Sequence, residues 1–431
     1  MGFIWISIFF SWPSWVVKRT KNVVLAYVDK TDNELSIHIF HIFPYFGVPS
    51  IFPYFIHISS FFVKFCQKLV KILKILPKIG QNFQILEFFC LLIYKLQRIG
   101  IRGKLLDWIS NFITNRTFST KINESYSEYY HVTSGVPQGS VLGPVLFLIY
   151  INDLPDIIPF GVSIKLFADD VKLYVTHKTT NERKRLEQAL ISINHWCNTW
   201  KIKIAPSKSF VLHLGNNNNK HQYKLDQNII TEVQSIRDLG ILIDNKLKFT
   251  EHISNVIKSA YYRMRLLFRY LKTRKIRIWK LVYISYIRSL LEYSTVNWSP
   301  SSKKDINRIE KCQKYFTKIA LKKCRLPYID YQNRLTLFEL PTLENRRKIL
   351  DLITMYKIIN GYSCLDPKSL FKLSERSSSR YPKRTILRHK LAKTSNLFTA
   401  RASKLWNQLD KNILDSPTVS IFKNRLIKTI T

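Results

Sequence analysis

Acidic residues are scarce in this sequence: its 431 residues include 29 Asp plus Glu against 68 Lys plus Arg, a formal charge of +39. Such a charge repels itself on folding unless a polyanion or an anionic surface neutralises it, which makes nucleic acid the leading partner. Cysteine is also sparse. Cys66, Cys90, Cys197, Cys312, Cys324 and Cys364 stand far apart, with no C-x-x-C pair and no Cys/His knuckle spacing. That argues against a disulfide scaffold or a zinc module and fits a reducing compartment. Apolar residues are not lacking, at 46% hydrophobic and 13% aromatic, which excludes a disordered basic tail and allows about two or three domains with cores.

Residues 1–90 hold only four acids, Asp29, Asp32, Glu34 and Glu87, and are crowded with Phe, Ile and Tyr. From Leu35 to Val63 there is no charge, which is long enough to cross a bilayer, but Pro44, Pro49 and Pro53 interrupt it. The opening Met1–Val17 lacks the basic start of a signal peptide. Residues 1–90 are therefore expected to be poorly ordered sequence outside the folded domains, and a membrane anchor is the lesser alternative. From Leu91 the patterning is orderly. A helical period covers LLIYKLQRIG and then Gly103–Thr114, with Leu105, Leu106, Trp108, Ile109, Phe112 and Ile113 on the apolar side. Arg116–Val132 alternates as a hairpin, and SGVPQGS is a turn feeding an apolar helix near Pro144. Ile164–Phe167 and Val171–Val175 are expected strands, Glu182–Lys201 an amphipathic helix, and Phe210–Leu214 and Ile236–Ile243 further strands around the polar loop Asn216–Lys220. After Phe249 the pattern is helical.

Chemistry concentrates in LFADDVKLYV, where Asp169 and Asp170 sit at the tip of a tight apolar hairpin. Carboxylates there do not help a core form, and their hard oxygens suit divalent cations and phosphoryl chemistry. Adjacent aspartates in a turn also arise for plain hydrogen-bonding reasons. Ser134-Gly135-Val136-Pro137-Gln138-Gly139-Ser140 precedes them, with glycines that let backbone approach a flat or charged ligand. A bare loop before a helix is the plainer reading of that segment. His38, His41 and His57 lie in an apolar stretch without carboxylate support, so no metal site is assigned to them.

Together, SGVPQGSVLGPVLFLIYINDLP and LFADDVKLYV resemble motifs B and C of the reverse transcriptases of non-LTR retrotransposons, especially the jockey-like group, in order and spacing. The resemblance covers about Leu91 to Thr431. It implies an α+β fold in which a partial right-hand polymerase palm, an antiparallel sheet with helices at 91–248, is followed by an all-helical thumb at 249–330. A helical C-terminal region with a basic linker follows at 331–431. It implies two-metal nucleotidyl transfer extending a DNA primer on an RNA template from deoxynucleoside triphosphates, with Mg²⁺ as cofactor and the cytoplasm and nucleus as the place of action. Asp169 would be a metal ligand and Asp170 its catalytic companion. Phe167 and Ala168 would shape the box, and Gly135, Pro137, Gln138 and Gly139 would line the nucleotide and template pocket. APSKSFVLHLG resembles motif D, which makes Lys208 the candidate acid for the leaving pyrophosphate. SIRDLGILID resembles the primer-grip region, with Leu239 and Gly240 at its turn.

The same family carries a third carboxylate, in motif A. Counting back from Leu91, Ile79 and Ile85 stand where its aspartates would be expected. Glu87 lies on the wrong side, and Asp29 is too far upstream. Losing a charge-neutralising ligand would impair catalysis, so the expectation is a 5′-truncated element. The alternative is a nucleic-acid-binding remnant without catalysis. Between His252 and Leu291 there is no acid, while Lys258, Arg263, Arg265, Arg269, Lys272, Arg274, Lys275, Arg277 and Lys280 alternate with aromatics, a one-sign array suited to tracking phosphates.

Overall fold

The computed structural model describes residues 2–11, 24–31, 34–41, 80–177, 180–215, 220–373, 386–387 and 397–430. The chain divides into two compact units, Met1–Gln234 and Ser235–Thr431.

The first unit mixes a sheet with helices. Strands β1 (Gly2–Ser11), β2 (Val24–Thr31) and β3 (Glu34–His41) join β8 (Ser163–Phe167), β9 (Asp170–His177) and β11 (Phe210–Leu214). With β14 (Thr231–Val233) the order is β14-β11-β1-β9-β8-β2-β3, and β10 (Lys203–Ile204) pairs with the end of β1. All neighbours are antiparallel except β11 and β14. β-Branched residues at every second position make β1 a core strand. Ile4, Ile6 and Ile8 are fully buried, and they stand opposite Val175, Leu173 and Val171 of β9 in an apolar cross-strand ladder. Two helices share this core. Thr180–Thr199 buries Leu186, Ala189, Leu190, Ile193 and Trp196 at helical spacing, and Leu142–Ile151 buries Leu146, Phe147, Tyr150 and Ile151.

Between the helix Gly103–Ile113 and the SGVPQGS loop, the expected hairpin is two nested ones: β4 (Thr117–Phe118) with β7 (Tyr130–His131), and β5 (Lys121–Ile122) with β6 (Ser125–Tyr126). The Gly103–Ile113 helix buries Leu106, Ile109 and Ile113 but leaves Leu105 and Trp108 more than half exposed. Its apolar side is thus narrower than the sequence suggests, because a 3.6-residue period cannot bury adjacent positions against one partner. A small amide-lined cleft of about 250 Å³ lies between the Thr180–Thr199 helix and the turn carrying β12 (Lys224–Leu225) and β13 (Asn228–Ile229).

The second unit opens with the hairpin β15 (Ser235–Asp238) and β16 (Ile241–Asp244), which replaces the single strand expected over Ile236–Ile243. The sequence boundary expected at 248 moves to 234, since Ile241 packs in the core of the helices Thr250–Tyr270 and Lys303–Lys323. Those helices interlock Ile253, Val256, Ala260, Met264 and Phe268 with Ile309, Cys312, Phe316 and Ala320. Between them runs Ile276–Val282, continued as a π turn over Tyr283–Arg288. The helix Leu343–Ile359 leads to a further core in which Tyr356 stacks on Phe422 at 4.2 Å and Trp406 is fully buried. The division expected at 330 is not a break, because Glu310 accepts a hydrogen bond from the Leu343 N–H at 3.0 Å.

The expected separation of residues 1–90 from the palm also changes. β1 lies in the middle of the sheet, and the helix Gly80–Arg98 runs across position 90. Among the described residues no helix is long and apolar enough to cross a membrane. Most of Leu35–Val63, His57 and nearly all of the expected basic linker Arg376–Lys390 lie outside the described residues.

Candidate active site and nucleic-acid interface

The tip of the β8–β9 hairpin is a two-residue turn, Ala168-Asp169, closed by the pair Phe167↔Asp170. Ala168 has φ +50°, the left-handed conformation that tight hairpins favour because it matches the twist of the flanking strands. A non-glycine residue there carries roughly 1 kcal/mol of backbone strain. Asp169 and Asp170 are half-buried, as are Phe167 and Ala168. The turn therefore presents two carboxylates beside each other at the end of a rigid, core-backed strand pair.

The SGVPQGS loop is built around its own hydrogen bonds. The Ser140 hydroxyl donates to the Pro137 carbonyl at 2.7 Å and accepts from the Gly143 N–H at 2.9 Å. A Cβ at Gly143 would lie 2.4 Å from the Pro137 oxygen, so only glycine lets the loop fold back on the helix that follows. Gly135 and Gly139 have φ +86° and +79°. Gln138 and Gly139 are exposed, Pro137 is half-buried and Gly135 is buried. Arg116 holds the loop from beneath: its Nη2 donates to the Gly135 carbonyl at 2.7 Å and its Nε to the Ile113 carbonyl at 2.9 Å. No sequence signal marked Arg116. Val136 of the loop and Ala168 of the turn pack on the same core, which brings the two motifs together.

Lys208 is exposed at the end of a 3-10 turn, Pro206–Lys208, that leads into β11. Phe210 of β11 is opposite Ser7 of β1, and Phe9 is opposite Asp170, so Lys208 lies at the aspartates' end of the sheet with β1 between them. Two strand spacings amount to roughly 10 Å.

β1 takes the place beside β9. Its sequence, GFIWISIFFS, holds no carboxylate, and the residue opposite Asp170 is Phe9. Ile85, one of the positions expected by counting back from Leu91, is in the helix Gly80–Arg98 instead of on a strand; Ile79 is outside the described residues. Asp29 is in β2, on the far side of the hairpin, and the register Tyr27↔Phe167, Val28↔Leu166 carries it away from the tip. Among the described residues no three His, Cys, Asp or Glu side chains gather where a metal could bind. Two adjacent carboxylates fit one divalent ion. They do not fit a pair of ions, which needs a further carboxylate to bridge them.

A buried charge supports the site from behind. Lys95 Nζ lies 2.7 Å from Asp153 Oδ1, donates to the Tyr150 carbonyl, and sits 3.6 Å from the centre of the Trp200 ring. Trp196 Nε1 donates to the same Asp153 oxygen at 3.1 Å. Burial, partly offset by Asp153, pulls the Lys95 ammonium down to about 8. The only sequence signal was a lone charge inside the apolar run LLIYKL.

Eight of the nine basic residues singled out between Lys258 and Lys280 are exposed in the second unit, and Lys280 is half-buried and paired with Glu339. Lys258, Tyr262, Arg265 and Arg269 follow one another at i, i+4, i+7 and i+11, which puts three cations and an exposed ring on one stripe of the Thr250–Tyr270 helix. Arg263 donates to the Tyr286 carbonyl at 3.3 Å. Of the interleaved aromatics, Phe268, Trp279 and Tyr283 are core, whereas Tyr262, Tyr270 and Tyr286 face solvent.

Residues 91–243 match the family model described as reverse transcriptase (RNA-dependent DNA polymerase), and this segment belongs to that family. The chain is similar to the probable RNA-directed DNA polymerase from transposon BS of Drosophila melanogaster, 29% identical over 220 residues, 48% of this chain and 24% of that protein. It is also similar to the RNA-directed DNA polymerase from mobile element jockey of the same fly, 29% identical over 173 residues, covering 38% of this chain and 19% of the relative. The probable RNA-directed DNA polymerase from transposon X-element of that fly is 28% identical over 155 residues, 34% of this chain and 17% of the relative. The chain thus spans about a quarter or less of the length of these relatives.

Proposed function

We propose that this chain is part of an RNA-directed DNA polymerase of a non-LTR retrotransposon and that it extends a DNA primer on an RNA template. The reading is carried by the Asp169–Asp170 turn sharing one core with the glycine loop that precedes it. In this reading the first unit is the palm and the second the thumb with its C-terminal helices. Asp169 and Asp170 face the growing primer end, Lys208 protonates the departing pyrophosphate, and the loop Gly135–Gly139 receives the nucleotide and template. The stripe Lys258, Arg265 and Arg269 tracks the phosphate backbone, joined by Arg263, Lys272, Arg274, Lys275 and Arg277. Cytoplasm and nucleus are the places of action. With one carboxylate short, transfer is slow, because uncompensated charge on the phosphoryl group raises the barrier.

The test is primer extension by the full chain on a DNA-primed RNA template with deoxynucleoside triphosphates and Mg²⁺. Weak synthesis that disappears in Asp169→Ala is the expected result. The acid-free β1 favours a second reading, duplex binding without synthesis. Tight binding of the primed template, with no extension by either protein, would select it. Failure to bind the primed template refutes both.

A further inference from the structure

The β15–β16 hairpin is held to the helices of its unit at three levels. At its turn, Leu239 and Gly240 have φ +43° and +86°, and the Tyr293 hydroxyl donates to the Leu239 carbonyl at 2.9 Å. At its foot, Asp244 accepts from the N–H groups of Lys246, Lys248 and Phe249 at 3.0, 3.1 and 2.6 Å. In the middle, the outward N–H of Leu242 on β16 donates to Nδ1 of His252 at 3.2 Å. The His252 ring meets Trp298 edge to face at 4.9 Å, and Trp298 Nε1 donates to the Tyr293 carbonyl at 2.8 Å. The contacts thus form a closed circuit: hairpin tip, Tyr293, Trp298, His252, hairpin strand.

Only a neutral imidazole with its proton on Nε2 can accept at Nδ1. The surroundings favour that form. His252 is 4% exposed, burial and then the Arg237 cation across the hairpin hold its imidazole below the ordinary range, and the helix Thr295–Trp298 brings no charge. Its Nε2 is buried with no hydrogen-bond partner among the described residues, so the ring is held chiefly by the Leu242 bond and Trp298.

We propose that His252 is a positioning residue: as a hydrogen-bond acceptor it fixes the Ser235–Asp244 hairpin and thereby the Leu239–Gly240 tip against a bound primer. The second half rests on the proposed function; the first does not. The experiment compares His252→Asn, whose side-chain oxygen can take the Nδ1 position, with His252→Leu, which has no acceptor. The readouts on the full chain are hydrogen exchange of the Leu242 amide without nucleic acid and the lifetime of a complex with a DNA-primed RNA duplex. In His252→Leu the Leu242 amide should exchange about tenfold faster, the scale of one lost hydrogen bond, and the complex should be shorter-lived. His252→Asn should recover most of both. Tyr293→Phe, which removes only the hydroxyl at the tip, should shorten the complex while leaving Leu242 protected. Equal exchange in the Asn and Leu variants, or an unchanged complex lifetime in His252→Leu and Tyr293→Phe, would overturn the proposal. Absence of duplex binding by the unsubstituted chain would instead count against the proposed function, leaving the exchange result to judge the hairpin's anchor.

Discussion

The two units use their carboxylates differently. In the second unit they are drawn inward or into turns. Glu292 accepts from Arg346 at both oxygens, Asp351 accepts from Arg401 Nε and Nη2 at 2.7 and 3.0 Å, and Glu310 joins Tyr331 to the Leu343 N–H. Asp330 and Asp366 cap helices, and Asp244 holds the turn below its hairpin. Cations are left on the outside, which is what a phosphate-binding surface needs. In the first unit Asp153 likewise compensates a buried Lys95, but Asp169 and Asp170 stand at a turn whose geometry asks for a positive φ at Ala168 and for no carboxylate. In a chain this short of acids, a carboxylate that the local fold does not call for is the one to read as functional.

The contrast can be broken from the inside outward. The largest effect should come from Arg401→Met, which strands Asp351, a carboxyl already pushed up by burial against the pull of Arg401. Its 4% exposed side chain would lose its partner, and chemical denaturation should show a loss of about 4 kcal/mol. Lys95→Met should cost about 3 kcal/mol, a smaller loss because Asp153 is 29% exposed and keeps its bond from Trp196. By contrast, replacing Lys258, Arg265 and Arg269 together with Gln should leave stability within about 0.5 kcal/mol, because all three are exposed. It should weaken duplex binding and lower the slope of log affinity against log salt by about 2 to 3. A normal slope in that variant would remove the stripe from the interface. The smallest effect is set by pH. His252 titrates lower in the folded chain than the 6.5 of a free imidazole, so the unfolded chain takes up the proton first. Stability of the second unit should be level above that value, fall as pH drops through the interval down to the folded titration point, and fall less in His252→Asn.

Much of this arrangement is legible in the sequence where signals are local. The alternation in LFADDVKLYV, the glycines of SGVPQGS and the apolar period after Thr250 each appear as the expected element. β1 is different. Its inward residues Ile4, Ile6 and Ile8 alternate with Phe3, Trp5 and Phe9, so no polar face reveals a period, and its partners lie more than 150 positions away. The Lys95–Asp153 pair is hidden for the same reason, since a buried ion pair separated by 58 positions leaves no spacing to read. The acid-free run from His252 to Leu291 predicts a basic surface correctly, yet it cannot say that His252 itself faces inward to a hairpin.

Tyr283–Arg288 carries a consequence of another kind. A π turn is an α-helix holding one residue more than its cylinder accommodates, and the extra residue leaves a carbonyl out of line. Here Arg263 reaches the Tyr286 carbonyl, while Tyr283 and Ile287 remain in the core. Each α-helical residue turns the chain by about 100°, so deleting one residue from this stretch would rotate everything after it by that amount. Leu291 would leave the core and Glu292 would turn away from Arg346, with every side chain chemically unchanged. Along these six residues the chain is constrained by its count as much as by its composition.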